Sequence, residues 1–190
     1  AIECLKLYGH CFDGQNIVFI GSNEPLDNNV AKLFDFLPNL QVKFVQNNPE
    51  TRESEHFIDM LSEVVDLNSL SFYAHNKGST HILDDGLMNW IHLMYFFNLF
   101  TDILPSIEEA LLGKTISGVF RKNAPYETHG MSSKWHYSGA FFWFNMKKLM
   151  DIPNWKNARK HRMGLEFYPS SIISFTDSHC SFGDKNHNFD

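Results

Sequence analysis

The sequence predicts an α/β fold of the Rossmann-like kind, a mainly parallel central sheet flanked by helices. Three observations predict it. Short apolar runs such as NIVFIGS, LQVKFVQNN and LSFYAHN each end in Gly, Asn, Ser or His, as strands bounded by polar loops do. Segments of helical periodicity lie between them, and strands alternating with helices imply parallel pairing with helices on both faces. The composition, 43% hydrophobic and 20% charged over 190 residues, suits one globular domain spanning 1–190, long enough to bury about 70% of its surface.

In chain order, ECLKLYGH reads as the first strand and NIVFIGS as the second. The polar loop SNEPLDNN leads into a helix over VAKLFDFL, which Pro38 ends. LQVKFVQNN is the third strand. Residues 50–66 place Phe57, Met60, Leu61, Val64 and Val65 on one helical face. LSFYAHN follows as a strand that must stop at a surface or cleft, because burying His75, Asn76 and Lys77 without partners costs several kcal/mol, on the order of 2–7 for each neutral polar group. DDGLMNWIHLMYFFNLFTD is apolar nearly all round and reads as a buried helix, with Asp84 and Asp85 suited to its positive N-terminal end. TISGVF is a further strand, RKNAPYETHGMSSKW a long polar loop, and HYSGAFFWFNMKKL an aromatic strand running into a short helix. In RKHRMGLEFYPSSIISF a turn at Gly164 brings Glu166 in front of a last apolar strand. The tail DKNHNFD is loose, or leads onward in a longer parent polypeptide with downstream domains.

The formal net charge of −6 speaks against a nucleic-acid partner. The longest apolar stretch, WIHLMYFFNLF, holds His92 and Asn98 and falls short of the roughly 20 residues of a membrane span. No secretory leader is read before Ala1. Cys4, Cys11 and Cys180 lack metal-ligand spacing and read as free thiols of a reducing compartment, hence a cytoplasmic location. HExxH, GxSxG, GxxxxGK[ST] and GxGxxG are all absent, which removes the simplest zinc-hydrolase, serine-hydrolase, P-loop and dinucleotide readings.

In an open α/β sheet, ligands gather outside the carboxyl ends of the strands, which points to HNKGST. There Lys77 and His75 face a diphosphate, Gly78 permits close backbone approach, and Ser79 and Thr80 add donors; the alternative is an ordinary polar loop. HYSG offers His136, Ser138 and Gly139 where a backbone passes close to a ligand, or else a bulged start to a strand. Phe141, Phe142 and Trp143 read mainly as packing. Glu166 is either a partly desolvated base or the ion-pair partner of Arg159, Lys160 or Arg162. Asp84 and Asp85 with His81 suit Mn²⁺ chemically, and helix capping explains the two aspartates equally well.

The order LKLYGH, NNPETRE, AHNKG, HYSGAFFWF and a Gly-Leu-Glu turn resembles the nucleotide-sugar glycosyltransferases of the GT-A fold, in particular those related to the rhamnan-synthesis group. It is also similar to the N-terminal domains of chlorella-virus glycosyltransferases that build capsid glycans, which implies host cytoplasm. The resemblance implies a UDP-sugar donor, a glycan acceptor and possible dependence on a divalent cation, Mn²⁺ or Mg²⁺. The Asp-x-Asp of that family is replaced by His75-Asn76-Lys77, so Lys77 would neutralise phosphate and His75 would assist any metal. Tyr8, Asn47 and Arg52 would lie near uridine, and His136, Ser138, Gly139 and Gly78 near the diphosphate and sugar. Glu166 and His136 would be the catalytic pair, with Glu166 facing the acceptor. Two rival functions are a non-catalytic carbohydrate- or protein-binding domain with an aromatic stacking surface, and a nucleotidyltransferase.

Overall fold

The structure, a computed structural model, describes residues 2–24, 29–75, 85–123, 126–128 and 131–184. Asn76, Lys77, Gly78, Ser79, Thr80, His81 and Asp84 lie outside the described residues. The chain opens with helix α1 (Ile2–Tyr8) rather than the expected strand. Its core-facing residues are Cys4, Leu5 and Tyr8, the i, i+1, i+4 spacing of a helix face rather than the alternation of a strand.

Strands β1 (Asn16–Ser22) and β2 (Leu40–Gln46) pair in parallel, with Asn16 opposite Leu40 and Ser22 opposite Gln46. The short helix α2 (Asn29–Lys32) lies in the connection between them. The single helix read over 50–66 divides into a 3-10 turn, Arg52–Glu55, and α3 (Phe57–Ser62). Arg52 takes φ 52°, a left-handed conformation that a continuous right-handed helix excludes.

Strand β3 (Leu70–Tyr73) precedes helices α4 (Asp85–Leu99) and α5 (Leu104–Gly113). Next come β4 (Ile116–Val119), β5 (Arg121–Lys122), β6 (Tyr126–Thr128), β7 (Met131–Ser133), β8 (His136–Tyr137) and β9 (Phe142–Asn145). Helices α6 (Met146–Met150) and α7 (Gly164–Ile172) and strand β10 (Ser178–Phe182) complete the order. Glu166 therefore sits in the first turn of a helix, not in front of a strand.

The principal sheet has the order β10-β4-β9-β3. β10 is parallel to β4, while β9 is antiparallel to both β4 and β3. The sheets are thus small and mixed, where the sequence predicts one mainly parallel sheet. The reason lies in the connection from β4 to β9. A parallel return requires a long crossover, usually helical, but residues 121–137 fold largely into the antiparallel pairs β5 with β8 and β6 with β7.

Helices cover both faces of this sheet, and β9 divides the core by simple alternation. Phe142 and Phe144 join Phe57 of α3, Leu149 of α6 and Tyr168 of α7 on one face. Trp143, with the preceding Phe141, joins Tyr95 of α4, Leu111 of α5 and Cys4 of α1 on the other. Helix α4 is buried on one face only, through Ile91, Met94, Tyr95, Asn98 and Leu99; His92 and Leu93 are exposed. Among the described residues no helix is long and apolar enough to cross a membrane.

Candidate functional site

The antiparallel course of β9 builds the site. Because Tyr73 of β3 pairs with Phe142 of β9, the chain leaving β3 and the chain entering β9 meet at the same sheet edge. His75, two residues past β3, donates from Nε2 to the Gly139 carbonyl oxygen at 3.1 Å. A carbonyl only accepts, so Nε2 carries the proton. On the other side of the ring Nδ1 lies 2.7 Å from Glu53 Oε1, a close contact without hydrogen-bond alignment. The His75 side chain is only 9% exposed, and its ring packs 5.3 Å from that of Phe141.

The Gly139–Ala140 turn is tightly held. Gly139 takes φ 107° and Ala140 φ 51°; the latter conformation costs of order 1–3 kcal/mol in a residue with a Cβ. A Cβ on Gly139 would come within 2.9 Å of Met94 Cε. The half-buried Ser138 follows β8 and donates its backbone N–H to the Phe120 carbonyl at 3.2 Å.

The Arg52–Glu55 turn touches two other parts of the site. Glu53 reaches His75, while Ser54 Oγ accepts the His161 N–H at 2.9 Å and Glu55 Oε1 accepts from Lys160 Nζ at 2.8 Å. Those last two contacts tie the turn to the loop before α7. The half-buried Arg52 guanidinium has no carboxylate partner among the described residues. Asn47 is exposed at the carboxyl end of the parallel β1/β2 pair, its N–H on the Ser22 carbonyl at 3.3 Å.

His136 on β8 and Glu166 on α7 are electrostatic neighbours. Burial pushes His136 below its ordinary value of 6.5, the Glu166 charge pulls it back up, and Lys122 lowers it further. The shift favours the neutral form of His136, which both donates and accepts hydrogen bonds. Lys160, one proposed ion-pair partner of Glu166, is held by Glu55.

Tyr8 belongs elsewhere, in a groove of about 670 Å³ between α1 and α4 that is also lined by Leu7, His92 and Phe96. Burial, then the nearby Cys4 and Cys11, raises the Tyr8 pKa. All three cysteines are free, and burial raises each thiol. Phe141, Phe142 and Trp143 are buried core residues, so they offer no stacking surface for a sugar. Glu53 went unrecognised in the sequence because TRESE reads as a solvated helix face.

No group of three or more metal-ligating His, Cys, Asp or Glu side chains occurs among the described residues. His75 Nε2 is taken up by the Gly139 carbonyl and Nδ1 faces Glu53 Oε1, while His81 and Asp84 lie outside the described residues. No family model matches the chain, and no curated protein or solved structure matches it.

Proposed function

We propose that this chain is a glycosyltransferase domain of the GT-A type that moves a hexose or 6-deoxyhexose, such as rhamnose, from a UDP-sugar to a hydroxyl of a glycan. The observation that supports this best is the junction of His75 with Gly139 at 3.1 Å, which brings the end of β3 and the HYSG segment together beside the Arg52 turn. Under this reading the fold is a GT-A variant in which β1 and β2 supply the uridine side, with Asn47 and Arg52 at their carboxyl ends.

In the reaction the bond from the anomeric carbon to the UDP oxygen breaks and a bond to the acceptor oxygen forms. Charge then grows on the departing diphosphate, and fixed cations stabilise it where water is excluded. Arg52 and Lys77 take that role, His136 and Ser138 supply neutral hydrogen bonds, and Glu166 takes the acceptor proton if the anomeric configuration inverts. No step is assigned to a metal. A viral capsid glycan as acceptor and host cytoplasm as location complete the reading.

Titration calorimetry with UDP, with and without Mn²⁺, tests it against UMP, GDP and free sugars. UDP-selective binding is expected, and Lys77→Ala should raise the Kd for UDP about tenfold or more in a chain that remains folded. Sugar binding without nucleotide binding would replace this reading with that of a carbohydrate-binding module.

A further inference from the structure

We propose that Glu53 is a positioning residue that acts through His75 to hold the Arg52 turn against the Gly139–Ala140 turn. This rests on the UDP-sugar reading of the same site. Three segments meet at the His75 ring. Gly139 accepts from Nε2 at 3.1 Å, Glu53 Oε1 stands 2.7 Å from Nδ1, and Phe141 packs on the ring at 5.3 Å. The ring is thus hydrogen-bonded at Nε2, abutted by Glu53 at Nδ1 and packed against Phe141, which is the arrangement of a spacer rather than of a phosphate ligand.

The turn that carries Glu53 is anchored from behind. Glu55 Oε2 accepts from Thr51 Oγ1 at 2.7 Å and from Asn48 Nδ2 at 3.3 Å, its Oε1 binds Lys160, and Ser54 is tied to His161. Glu53 therefore links a fixed turn to His75. The two points it links carry left-handed backbone at non-glycine residues, Arg52 at φ 52° and Ala140 at φ 51°. Such strain persists only where neighbours hold it. The separation of the Arg52 turn from the Gly139 turn, the two sides between which a diphosphate would lie under that reading, is set through the Glu53–His75 contact.

The test is a double-mutant cycle with UDP affinity as its readout, measured well below each variant's Tm. Glu53→Gln keeps the size of the side chain and removes its charge; it should weaken UDP binding about tenfold. In a His75→Asn background the same change should have no further effect, because the relay is already broken. Normal UDP affinity in Glu53→Gln, or losses that simply add, would overturn the proposal while leaving the UDP-sugar reading intact. A wild-type chain that does not bind UDP would overturn both. If His75→Asn does not fold, Glu53→Asp serves instead: one methylene short of the ring, it should show the same loss as Glu53→Gln, and wild-type affinity would overturn the proposal.

Discussion

A Cβ built onto Gly164 would collide with the Arg159 carbonyl oxygen and stand 3.3 Å from Ser54 Cβ. Glycine is required there because the loop before α7 passes directly over the first residue of the helix, with the Gly164 N–H on the His161 carbonyl at 2.7 Å. The obstacle is backbone, which cannot swing aside as the tip of a long side chain can. Gly164→Ala should therefore destabilise the fold by about 1–3 kcal/mol, with Tm falling roughly 2–4 °C for each kcal/mol. Gly113→Ala is the comparison: nothing lies within 4 Å of its Cβ position, and alanine is favoured over glycine in a helix by about 1 kcal/mol. Its Tm should stay level or rise. Thermal melts of the two variants followed by circular dichroism decide the matter, and equal Tm values would mean that the 159–164 loop yields without cost.

Strand β10 shows how one side chain fastens an element. Arg121 lies on β5, and its Nε and Nη2 donate to Asp184 Oδ1 and Oδ2 at 3.2 and 2.7 Å. Its Nη1 donates to the Ser178 carbonyl and hydroxyl oxygens, both at 2.8 Å, and the guanidinium lies 4.0 Å from the Phe175 ring centre. Burial opposes the charge on Arg121, yet the hydrogen bond and charge of Asp184 raise its pKa overall. Arg121→Lys keeps the charge and loses the planar fork. It should cost about 2 kcal/mol, less than the ~3–5 of breaking a fully buried pair, since Asp184 is 33% exposed. Hydrogen exchange should quicken at the amides of Ser178–Phe182 and remain slow at Phe142–Asn145; unchanged exchange in β10 would contradict this. Nothing in the polar run SHCSF announces that strand, because its place comes from Arg121 and from pairing with β4. NIVFIGS, LQVKFVQ and ISGV were legible because a short apolar run between polar stops has few other uses. ECLKLY and GLEFYPSSI were misread because apolar residues at helical spacing also fall close enough to alternation to pass as strands. Helix α5 left a usable signal, Pro105 near its start and Ile107 and Leu111 four apart. His75, Gly139 and Glu166 stood out as polar or flexible residues among aromatics, whereas Glu53 gains its meaning only from a contact 22 positions along the chain.

At the scale of the whole molecule, two histidines, the buried His136 of β8 and the half-buried His179 of β10, link stability to pH. Burial lowers His136 on β8 from 6.5, with Glu166 raising it and Lys122 lowering it. Burial also lowers His179 on β10 from 6.5, followed by Arg121, with Asp184 raising it and Lys114 lowering it. His179 Nδ1 lies 2.9 Å from Ser117 Oγ of β4. Between the folded and unfolded values of each ring, the unfolded chain binds more protons than the folded one, so stability rises with pH across that interval. The contribution is complete above 6.5 and is lost as pH falls toward the folded values. Glu55 acts in a separate, lower window. The Lys160 hydrogen bond, followed by that from Thr51, holds it below 4.5, so its contribution is present above 4.5 and is lost only at more acid pH. Melting curves at constant ionic strength should therefore show Tm falling from about pH 7.5 to about pH 5.5, before the carboxylates titrate. His179→Gln should flatten part of that slope and leave the remainder to His136, even if the substitution lowers Tm at every pH. The slope, not the Tm itself, is the diagnostic quantity, because a lost packing contact shifts the curve while a lost titrating group changes its shape. A slope identical to wild type in His179→Gln would mean that this ring binds protons equally well folded and unfolded, and that the sheet edge at β10 admits water to it.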